Sequence, residues 1–389
     1  MGNIALTGHF SMSGKSVIEM PLNLSQCNNC GLVQLLNSYP TELLYGEAYG
    51  YESHLNSSMR EHLHRKANLL EKKFLSGGNP TVLDIASNDG TLLSGYSNSN
   101  ITKIGVDPIL NFLEDHYPPK SIKFSKFFDE SILDEIRPGS IDLVTSLSVL
   151  YDLNDPIEFA KTINLILKTG GIWHFEQSYL PSMLSSLSYD TICHEHLLYL
   201  SMNDVLKILN ESGFSIIEVT QNSINGGSLA VTAVKGKNHG IHPYVSYLLN
   251  KEKQIGLQNG EALISFGQRA ILHSEEAKSL ILEYKQLGFR IYGLGASTKG
   301  NVFLSYAKLS SDEIECIGDI NPKKFGKRTP GSDIIIESEM EVLSRADKRS
   351  LYLILPWHFR ENIISNCSSV LEKHGSFLVP FPRLEVISC

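Results

Sequence analysis

The sequence lacks a basic stripe and any long apolar run. Its 389 residues carry a formal net charge of −8, with a pI near 5.9. Without a basic stripe a nucleic-acid partner is not expected, although a few local cations can still neutralise a diphosphate. No apolar run reaches the roughly 20 residues that span a bilayer, and no secretory signal opens the chain. We therefore expect a cytoplasmic protein with no membrane partner.

Cysteine is scarce, and repeats and low-complexity tracts are lacking. The six cysteines are spread along the chain, and only Cys27 and Cys30 lie close together. This pattern is typical of free thiols in a cytoplasmic protein rather than of a disulfide framework. The hydrophobic content of 42% and the charged content of 20% are ordinary for a soluble globular protein. A chain of this length is expected to form two or three domains.

Changes in sequence texture divide the chain into three parts. Residues 1–64 have only short apolar runs and predict a small, irregular N-terminal domain. Residues 65–235 alternate strand-like and helical runs, which predicts an α/β domain with a parallel, doubly wound sheet. One of its helices, over residues 158–171, is predicted to end at Gly-Gly. Residues 236–389 begin with a helical stretch around 245–288 and then alternate strand-like and helical runs again. This predicts a second, C-terminal α/β domain that is Rossmann-like.

The first turn of the 65–235 domain is poor in glycine. A predicted strand runs from Val82 into the small polar residues Ala86, Ser87 and Asn88. Such a turn lets a ligand approach the backbone at the carboxyl ends of the strands. Ala86 and Ser87 stand where a dinucleotide-binding fingerprint needs glycine. This favours a cofactor that has a ribose but no phosphate, and S-adenosylmethionine fits that description.

Two acids and two aromatic residues complete the predicted cofactor site. Asp84 lies in the first strand, where it can accept from an ammonium group. Asp107, followed by Pro108, ends the next strand, where an acid can accept both ribose hydroxyls. Phe127 and Phe128 are expected to stack on adenine. The alternatives are that the acids only cap helices and that the phenylalanines belong to the core.

The densest polar constellation is the block from Tyr189 to His196. In it, His194 and His196 flank Glu195, which indicates a metal site, a general base or a structural histidine pair. The two histidines diverge on a helix, and no third ligand is evident. We favour the base, because methyl transfer to carbon needs an enolate and histidine can remove a proton near neutral pH. Glu195 is expected to fix the tautomer or to bind a substrate hydroxyl.

A second, glycine-rich turn follows an apolar strand in the C-terminal domain. Its small residues let backbone amides reach a diphosphate, and Lys299 supplies positive charge. The next strand ends near Asp319, which is placed to meet a ribose or a base. An NAD site and a turn without a ligand are the alternatives. The residues assigned to this substrate site are Gly293, Gly295, Ala296, Ser297, Lys299, Asn301, Asp319 and Asn225.

Several segments, in this order, resemble a known family. They are PLNLSQCNNCGLVQL, YGEAYGYESHLNSSMREHL, VLDIASNDGTLL, YDTICHEHLLYLS, NGGSLAVTA, YGLGASTKGNV and PWHFR. The chain resembles, over nearly its whole length, the three-domain sugar C-methyltransferases of unusual deoxysugar biosynthesis. The resemblance implies a class I methyltransferase fold and S-adenosylmethionine as cofactor. It also implies methyl transfer to C3 of a nucleotide-linked 4-keto sugar, whose nucleotide the C-terminal domain holds.

The resemblance also implies roles for single residues. His196 matches the base that deprotonates C3, and Glu195 stands beside it. The family often has a tyrosine just before the block, where this chain has Cys193, so that tyrosine's hydrogen bond is not carried over. Either Tyr49 or Tyr51 matches an N-terminal tyrosine that reaches the active site.

The zinc site of the family is only half present. The family holds zinc through two C-x-x-C pairs, whereas this chain has Cys27 and Cys30 alone. One pair cannot fill four tetrahedral positions, and His9 as a substitute still leaves one ligand missing. We therefore expect either no zinc or a chain that is short at its start.

Other functions remain open on the sequence. One is an NAD-dependent oxidoreductase that uses the C-terminal turn, and another is a methyltransferase acting on oxygen or nitrogen. A third is a binding protein without activity, against which the intact His-Glu-His block argues. The favoured partner is a nucleotide-diphosphate sugar.

Overall fold

The structure, a computed structural model, describes residues 1–12, 18–40, 44, 51–110, 116–236, 240 and 242–389. These residues form two α/β domains, one around a seven-stranded sheet and one around a six-stranded sheet, together with two small N-terminal sheets. None of the helices in these ranges has the length and hydrophobicity needed to cross a bilayer.

The small sheets connect the N-terminal residues to the His-Glu-His block. Strand β1 (Asn3–Ala5) pairs antiparallel with β2 (Glu19–Pro21), and β3 (Leu24–Gln26) pairs antiparallel with β4 (Val33–Leu35). The second partner of β4 is β10 (Leu198–Tyr199), which starts just after the block. The N-terminal domain therefore extends a sheet onto the segment that carries the predicted base.

The first α/β domain has the predicted doubly wound sheet. Its strands are β5 (Thr81–Ile85), β6 (Thr102–Val106), β7 (Ile122–Phe124), β8 (Ile141–Leu147), β9 (Leu167–Ser178), β11 (Phe214–Asn222) and β12 (Ser228–Lys235). Their order is β11-β12-β9-β8-β5-β6-β7, and β12 is antiparallel to both neighbours. The order of the strands reverses between β5 and β8, and ligands bind at such a switch point. The predicted cofactor turn directly follows β5.

Helices cover both faces of this sheet. They are α1 (Ser57–Phe74), α2 (Thr91–Ser94), α3 (Pro156–Ile166), α4 (Leu180–Ser185) and α5 (Met202–Glu211). Helix α1 begins ahead of the predicted domain boundary at residue 65, since the Asn56 side chain accepts from the Met59 amide and caps it there.

The expected helix end at Gly170 and Gly171 is wrong. Helix α3 ends at Ile166, and the glycines lie in β9, where the register shifts between the pairs Ile141↔Leu167 and Leu143↔Ile172. Leu167 is fully buried with a strand-like backbone, so the chain turns into the sheet before the glycines. The small residues then accommodate an irregularity of the strand rather than a helix cap.

A buried carboxylate ties α1 to the sheet. The Glu176 carboxylate on β9 accepts from His62 Nε2 at 2.7 Å and Lys66 Nζ at 2.8 Å, both from α1, and from Asn222 Nδ2 at 2.9 Å. Although burial alone would raise the pKa of Glu176, the hydrogen bond from His62 and the charge of Lys66 lower it to about 2. The Asn222 side chain in turn accepts from the Ile224 amide at 2.9 Å. The cluster therefore also fixes the turn that follows β11.

The second α/β domain follows two long helices. Its strands are β13 (Arg290–Leu294), β14 (Cys316–Asp319), β15 (Ile336–Ser338), β16 (Ser350–Ile354), β17 (Ser376–Val379) and β18 (Glu385–Ile387). The helices of this region are α6 (Pro243–Gln254), α7 (Glu261–Gln286), α8 (Thr298–Tyr306), α9 (Glu339–Ser344), α10 (Arg360–Asn366) and α11 (Ser369–Glu372). The order β15-β14-β13-β16-β17-β18 is parallel except for β18 and reverses at β13, where the second glycine-rich turn begins. This confirms the predicted C-terminal α/β fold.

The Glu176 cluster generates a stability prediction. Glu176→Gln should lower the free energy of unfolding by about 3–5 kcal/mol, because it leaves the cation of Lys66 buried without its partner. The folded-state pKa of Glu176 lies below its ordinary value of 4.5. The stabilisation is therefore present above pH 4.5, and the difference between variant and parent should shrink as the pH falls from 4.5 towards 2.

The matched control is Glu218→Gln, which removes a carboxylate from the exposed pair with Lys73. Exposed pairs contribute about 0–1 kcal/mol, so this change should be nearly silent in urea denaturation. Equal effects of the two substitutions would contradict the assignment of a stabilising role to the buried cluster.

Candidate active site

The turn after β5 adopts a glycine-like backbone with few glycines. Ala86 and Asn88 both have left-handed φ angles, of 53° and 49°, and Gly90 has a φ of 75°. At Gly90 a side chain is excluded as well, because a Cβ atom would lie 2.9 Å from Tyr117 Cγ. Ser87 is held by a hydrogen bond of 2.6 Å between its hydroxyl and that of Tyr117. Alanine rarely adopts this conformation, whereas asparagine is among the residues that adopt it most readily, so only Asn88 carried a local signal for it.

Asp107 fixes this turn and faces the switch point. Its Oδ2 accepts from the Asn88 amide at 2.8 Å, and its Oδ1 accepts from the Ile109 amide at 2.9 Å. Burial raises the pKa of Asp107, and these hydrogen bonds oppose the rise. Each carboxylate oxygen has a further lone pair, so Asp107 can still accept from ribose hydroxyls as predicted.

Asp84 lies deeper than Asp107, below the same turn. It is only 4% exposed and accepts from the Thr145 hydroxyl at 2.6 Å. Burial raises the pKa of Asp84 to about 7. An ammonium group near this carboxyl would therefore bind more tightly as the pH rises and the carboxylate forms.

Asp89 is a site residue that our sequence analysis did not single out. Its Oδ2 accepts from both the backbone amide and Nδ1 of His54 at 2.8 Å, and its Oδ1 accepts from the Thr91 amide at 3.1 Å. It joins the cofactor turn to the segment before α1. The only local signal is an acid two residues before a threonine at a helix start.

The two phenylalanines occupy different surroundings. Phe127 is 41% exposed, whereas the Phe128 ring packs edge-on against Phe159 of α3 with ring centroids 5.2 Å apart. Phe128 contributes to the core because α3 covers it. Only Phe127 remains a candidate for stacking on adenine.

His196 has one ring nitrogen committed and one available. Its Nδ1 lies 2.9 Å from the Thr191 carbonyl oxygen, and since a carbonyl only accepts, Nδ1 carries the proton and Nε2 has a lone pair. The half-buried ring lies 4.3 Å from that of Tyr151, between centroids. Burial and the charge of Lys299 lower the pKa of His196 to about 3. The imidazole is therefore neutral at physiological pH, with a pKa below the near-neutral value expected from the sequence.

The neighbours of His196 face the N-terminal domain. His194 is fully buried, with Nε2 3.3 Å from the Met20 carbonyl oxygen and its ring edge-on to that of Tyr39 at 5.3 Å. Glu195 accepts from the Thr7 hydroxyl at 3.4 Å, and burial raises its pKa. Since the Thr191 carbonyl fixes the tautomer of His196, the expectation that Glu195 does so is wrong.

The residues just before His196 and the candidate tyrosines are also located. Cys193 is buried at the position of the family's tyrosine, and burial raises the pKa of its thiol well above the ordinary value. Tyr51 is 44% exposed, and its carbonyl accepts from the Asn88 side chain at 3.0 Å, which places it against the cofactor turn. Tyr49 lies outside the described residues.

Internal contacts shape the second glycine-rich turn. The Ser297 hydroxyl accepts from the Gly300 amide at 3.0 Å and caps α8. Asp319 Oδ2 accepts from the Ala296 amide at 2.8 Å and from Lys324 Nζ at 3.3 Å. Asp319 therefore holds the turn through these hydrogen bonds, whether or not it also accepts from a ribose hydroxyl.

Two glycines of this region are required by close packing, and the side-chain amide of Asn301 connects the region to the N-terminal segment. A Cβ atom at Gly293 would lie 2.7 Å from Ile317 Cγ1, and one at Gly295 would lie 2.6 Å from Pro356 Cγ. The Asn301 side chain donates to the Thr7 carbonyl at 2.6 Å. Two of the predicted glycines are therefore required by neighbouring side chains, whether or not a ligand binds.

Lys299 and Asn225 lie beside the His-Glu-His block. Lys299 Nζ donates to the Asn225 carbonyl at 2.9 Å, and Asn225 Nδ2 donates to the Ser148 hydroxyl at 3.3 Å. Trp357 Nε1 donates to Asp190 Oδ2 at 2.8 Å. Thus the C-terminal domain contributes both a cation and an indole to the site of His196. Asp190 and Trp357 are further site residues that the sequence analysis did not assign.

The described residues do not supply a zinc site at the C-x-x-C pair. Neither Cys27 nor Cys30 belongs to a described group of three metal-type side chains close enough to share an ion. Two thiolates leave a tetrahedral ion incomplete, so the residues present do not fit zinc. His9 does not complete the set, since it acts instead on Glu195, whose pKa it lowers.

One described group does combine three metal-type side chains, those of Glu52, His54 and His116. The two histidine rings are stacked 3.9 Å apart, with only 27° between their planes. His54 Nδ1 is already hydrogen-bonded to Asp89 at 2.8 Å, and Glu52 is paired with Lys323 at 2.8 Å. This geometry favours a stacked pair over a metal centre.

A cavity of about 1070 Å³ lies between the β3–β4 hairpin and helices α5 to α7, and Cys27, Cys30 and Tyr189 are among the residues that line it. The two acids that line it are already hydrogen-bonded, Asp204 in the cap of α5 and Glu252 to the Tyr179 hydroxyl at 2.7 Å. Neither acid therefore offers unmatched charge to a ligand in this cavity.

Comparisons with known proteins agree with both α/β domains. Residues 51–219 match the family model of a methyltransferase domain, and residues 223–382 match that of the C-methyltransferase C-terminal domain. The chain is 27% identical over 371 residues to C-methyltransferase NovU of Streptomyces niveus, which covers 95% of this chain and 88% of that protein.

Two solved structures are similar to part of the chain. A putative methyltransferase in complex with the Trm112 methyltransferase activator of Haloferax volcanii has a TM-score of 0.40 and 16% identity, over 47% of this chain and 93% of that one. A putative S-adenosylmethionine-dependent methyltransferase from Listeria monocytogenes has a TM-score of 0.36 and 14% identity, over 46% of this chain and 100% of that one.

The position of Asp107 generates a binding prediction. Asp107→Ala should weaken the binding of S-adenosylhomocysteine by more than tenfold, or about 1.4 kcal/mol, because the ribose loses its acceptor. Titration calorimetry measures the change. Asp155→Ala, which removes an exposed carboxylate that caps α3, is the control and should bind as the parent does. Unchanged affinity of the Asp107 variant would remove the assignment.

The backbone of the cofactor turn generates a second stability prediction. Ala86→Gly should raise the free energy of unfolding by about 1 kcal/mol, because glycine adopts the left-handed conformation without strain. In contrast, Ala277→Gly in the middle of helix α7 should lower it by at least about 0.5–1 kcal/mol. Urea denaturation measures both, and destabilisation by both substitutions would argue that Ala86 is not strained.

Proposed function

We propose that this protein, an S-adenosylmethionine-dependent methyltransferase that carries the C-methyltransferase C-terminal domain, adds a methyl group to C3 of a nucleotide-linked 4-keto-deoxysugar. The observation that carries the proposal is the state of His196. Its Nδ1 proton is donated to the Thr191 carbonyl, which leaves the Nε2 lone pair as a base where residues of both α/β domains meet. The oxidoreductase alternative is set aside, because both family models are those of methyltransferases.

The chemistry follows from the acceptor atom. A carbon can accept a methyl cation only after it has gained an electron pair, and the neighbouring C4 ketone makes the C3 proton removable. His196 Nε2 takes that proton, and the electrons of the C–H bond become the C3=C4 bond while the carbonyl pair moves to oxygen. S-adenosylmethionine would supply the methyl group: as the C4=O bond re-forms, the C3=C4 electrons make the new bond from C3 to the methyl carbon, and the S–CH3 bond breaks so that S-adenosylhomocysteine leaves with its electron pair. His196 then returns its proton to solvent.

The remaining residues bind and orient the two reactants. Asp107 would hold the ribose of the cofactor and Asp84 its ammonium group, with the carboxylate of Asp84 favoured by that cation. Phe127 would cover the adenine. The turn from Gly293 to Gly300, with the amides that it offers at the start of α8, would receive the nucleotide diphosphate of the sugar.

The proposed base generates the test of this function. His196→Asn should cut turnover by roughly 10²–10⁴-fold, with the binding of cofactor and substrate retained. It should also abolish exchange of the C3 proton with deuterated water when the methyl donor is absent. Proton NMR measures the exchange with dTDP-4-keto-6-deoxyglucose and its GDP, CDP and UDP counterparts.

His194→Asn is the matched control, since His194 is buried away from the reaction and packs against the N-terminal domain. It should alter stability and leave exchange largely intact. Exchange at the parental rate in the His196 variant would move the base to another residue. Exchange at C5, the other carbon next to the ketone, would keep the base and change the acceptor carbon.

A further inference from the structure

Lys299 presents a half-buried cation at the start of α8. The hydrogen bond of its ammonium group goes to a neutral acceptor, the Asn225 carbonyl, at 2.9 Å. Burial lowers the pKa of Lys299, and the charge of the buried Asp190 carboxylate opposes that effect without a direct hydrogen bond between the two groups in the described part of the chain. An ammonium group has three donors, so two remain available to a ligand. A half-buried charge in this state is expected to meet an anion at some point in the reaction.

The carbonyl that orients Lys299 belongs to the edge of the methyltransferase sheet. Asn225 has a left-handed φ of 55°, and its side chain donates to the Ser148 hydroxyl at 3.3 Å, just past the end of β8. The short helix that follows carries Tyr151, whose ring centroid lies 4.3 Å from that of His196. Lys299 is therefore held at the edge where the proposed base lies.

Asp190 supports the same placement. It is 1% exposed, its Oδ2 accepts from Trp357, and its Oδ1 lacks a hydrogen-bond partner in the described part of the chain. Burial raises the pKa of Asp190 to about 6, and the charge of Lys299 opposes the rise. After burial, Lys299 is also the next largest cause that lowers the pKa of His196. The field of the ammonium group thus reaches the imidazole that is proposed to remove the proton.

We propose that Lys299 donates a hydrogen bond to the C4 oxygen of the sugar as that oxygen becomes an enolate. This inference rests on the proposed function. When His196 Nε2 takes the C3 proton, the C–H electrons form the C3=C4 bond and the former carbonyl pair becomes a full charge on oxygen. An ammonium group already in place stabilises that charge more than it stabilises the neutral ketone, so it lowers the barrier.

This role differs from the diphosphate contact that the sequence suggested for Lys299. A diphosphate carries its charge before the reaction, so a diphosphate partner contributes to the affinity for the nucleotide alone. An enolate carries its charge only during the reaction, so an enolate partner contributes to the rate of proton removal. The diphosphate role predicts that loss of the Lys299 charge weakens nucleotide binding and leaves the exchange rate unchanged. The enolate role predicts that it slows exchange and leaves nucleotide binding unchanged.

The experiment uses the full chain with Lys299→Met and Lys299→Gln, two neutral variants of similar length. Lys308→Met, at the exposed C-terminal end of the same helix, is the control for loss of one charge. Calorimetry measures the affinity for S-adenosylhomocysteine and for dTDP, GDP, CDP and UDP. Proton NMR in deuterated water measures exchange of saturating dTDP-4-keto-6-deoxyglucose, or of its GDP, CDP or UDP counterpart, without a methyl donor.

We expect exchange and turnover to fall by roughly 10²–10³-fold in the Lys299 variants, the range for losing one such donor, with nucleotide affinity changed by no more than about twofold. The Lys308 variant should match the parent in every measurement. Parental affinity for S-adenosylhomocysteine shows that a variant is folded, so the exchange rate and nucleotide affinity are compared for the neutral variant that retains it.

Nucleotide affinity reduced more than tenfold, with parental exchange at saturating substrate, would overturn the proposal and assign Lys299 to the diphosphate. Parental values of both quantities would also overturn it. Failure of the proposed function is a different result, since the parent enzyme itself would then exchange no proton of any of the four sugar nucleotides.

Discussion

The architecture of the site depends on the buried Glu176 carboxylate. It accepts hydrogen bonds from two side chains of α1 and one from Asn222, so it joins the first helix of the methyltransferase domain to the end of the sheet. The Asn222 side chain also accepts from the Ile224 amide, which fixes the turn that carries Asn225. The Asn225 carbonyl then accepts a hydrogen bond from Lys299. The paired, desolvated charge of Glu176 is thereby connected, through this turn, to the position of a second charge, that of Lys299.

The carboxylates of the site differ in how far the protein itself satisfies their hydrogen-bonding capacity. Asp107 and Asp319 have amide donors at short distance and hold their turns in shape. Asp190 Oδ1 lacks a partner among the described residues, although the side chain is almost fully buried. Buried polar groups usually have a partner, so Asp190 Oδ1 retains the capacity to accept a hydrogen bond.

The sequence predicted what periodicity and strand ends can reveal. The buried strands β5, β6, β8 and β9 were evident as apolar runs, and Asp84 and Asp107 were evident because acids at the ends of parallel strands converge. The left-handed backbone at Ala86 was not, since alanine does not signal it, although asparagine at position 88 is a type that adopts this conformation more often. The contact between Lys299 and Asn225 joins residues 74 positions apart, and no local pattern records such a meeting. The predicted helix end at Gly170 and Gly171 was wrong for a related reason. Pairing of this segment with β8 in the sheet outweighed the local tendency of two glycines to end a helix.

Thr7 has a consequence for the exchange of domains between relatives. Its carbonyl accepts from Asn301 of the C-terminal domain, and its hydroxyl donates to Glu195 of the methyltransferase domain. A chimaera that imports a foreign C-terminal domain would therefore lose one of the two contacts of Thr7, a residue far from that domain in the sequence. The segment around Thr7 and the C-terminal domain should therefore be exchanged together, even though the whole methyltransferase domain separates them along the chain.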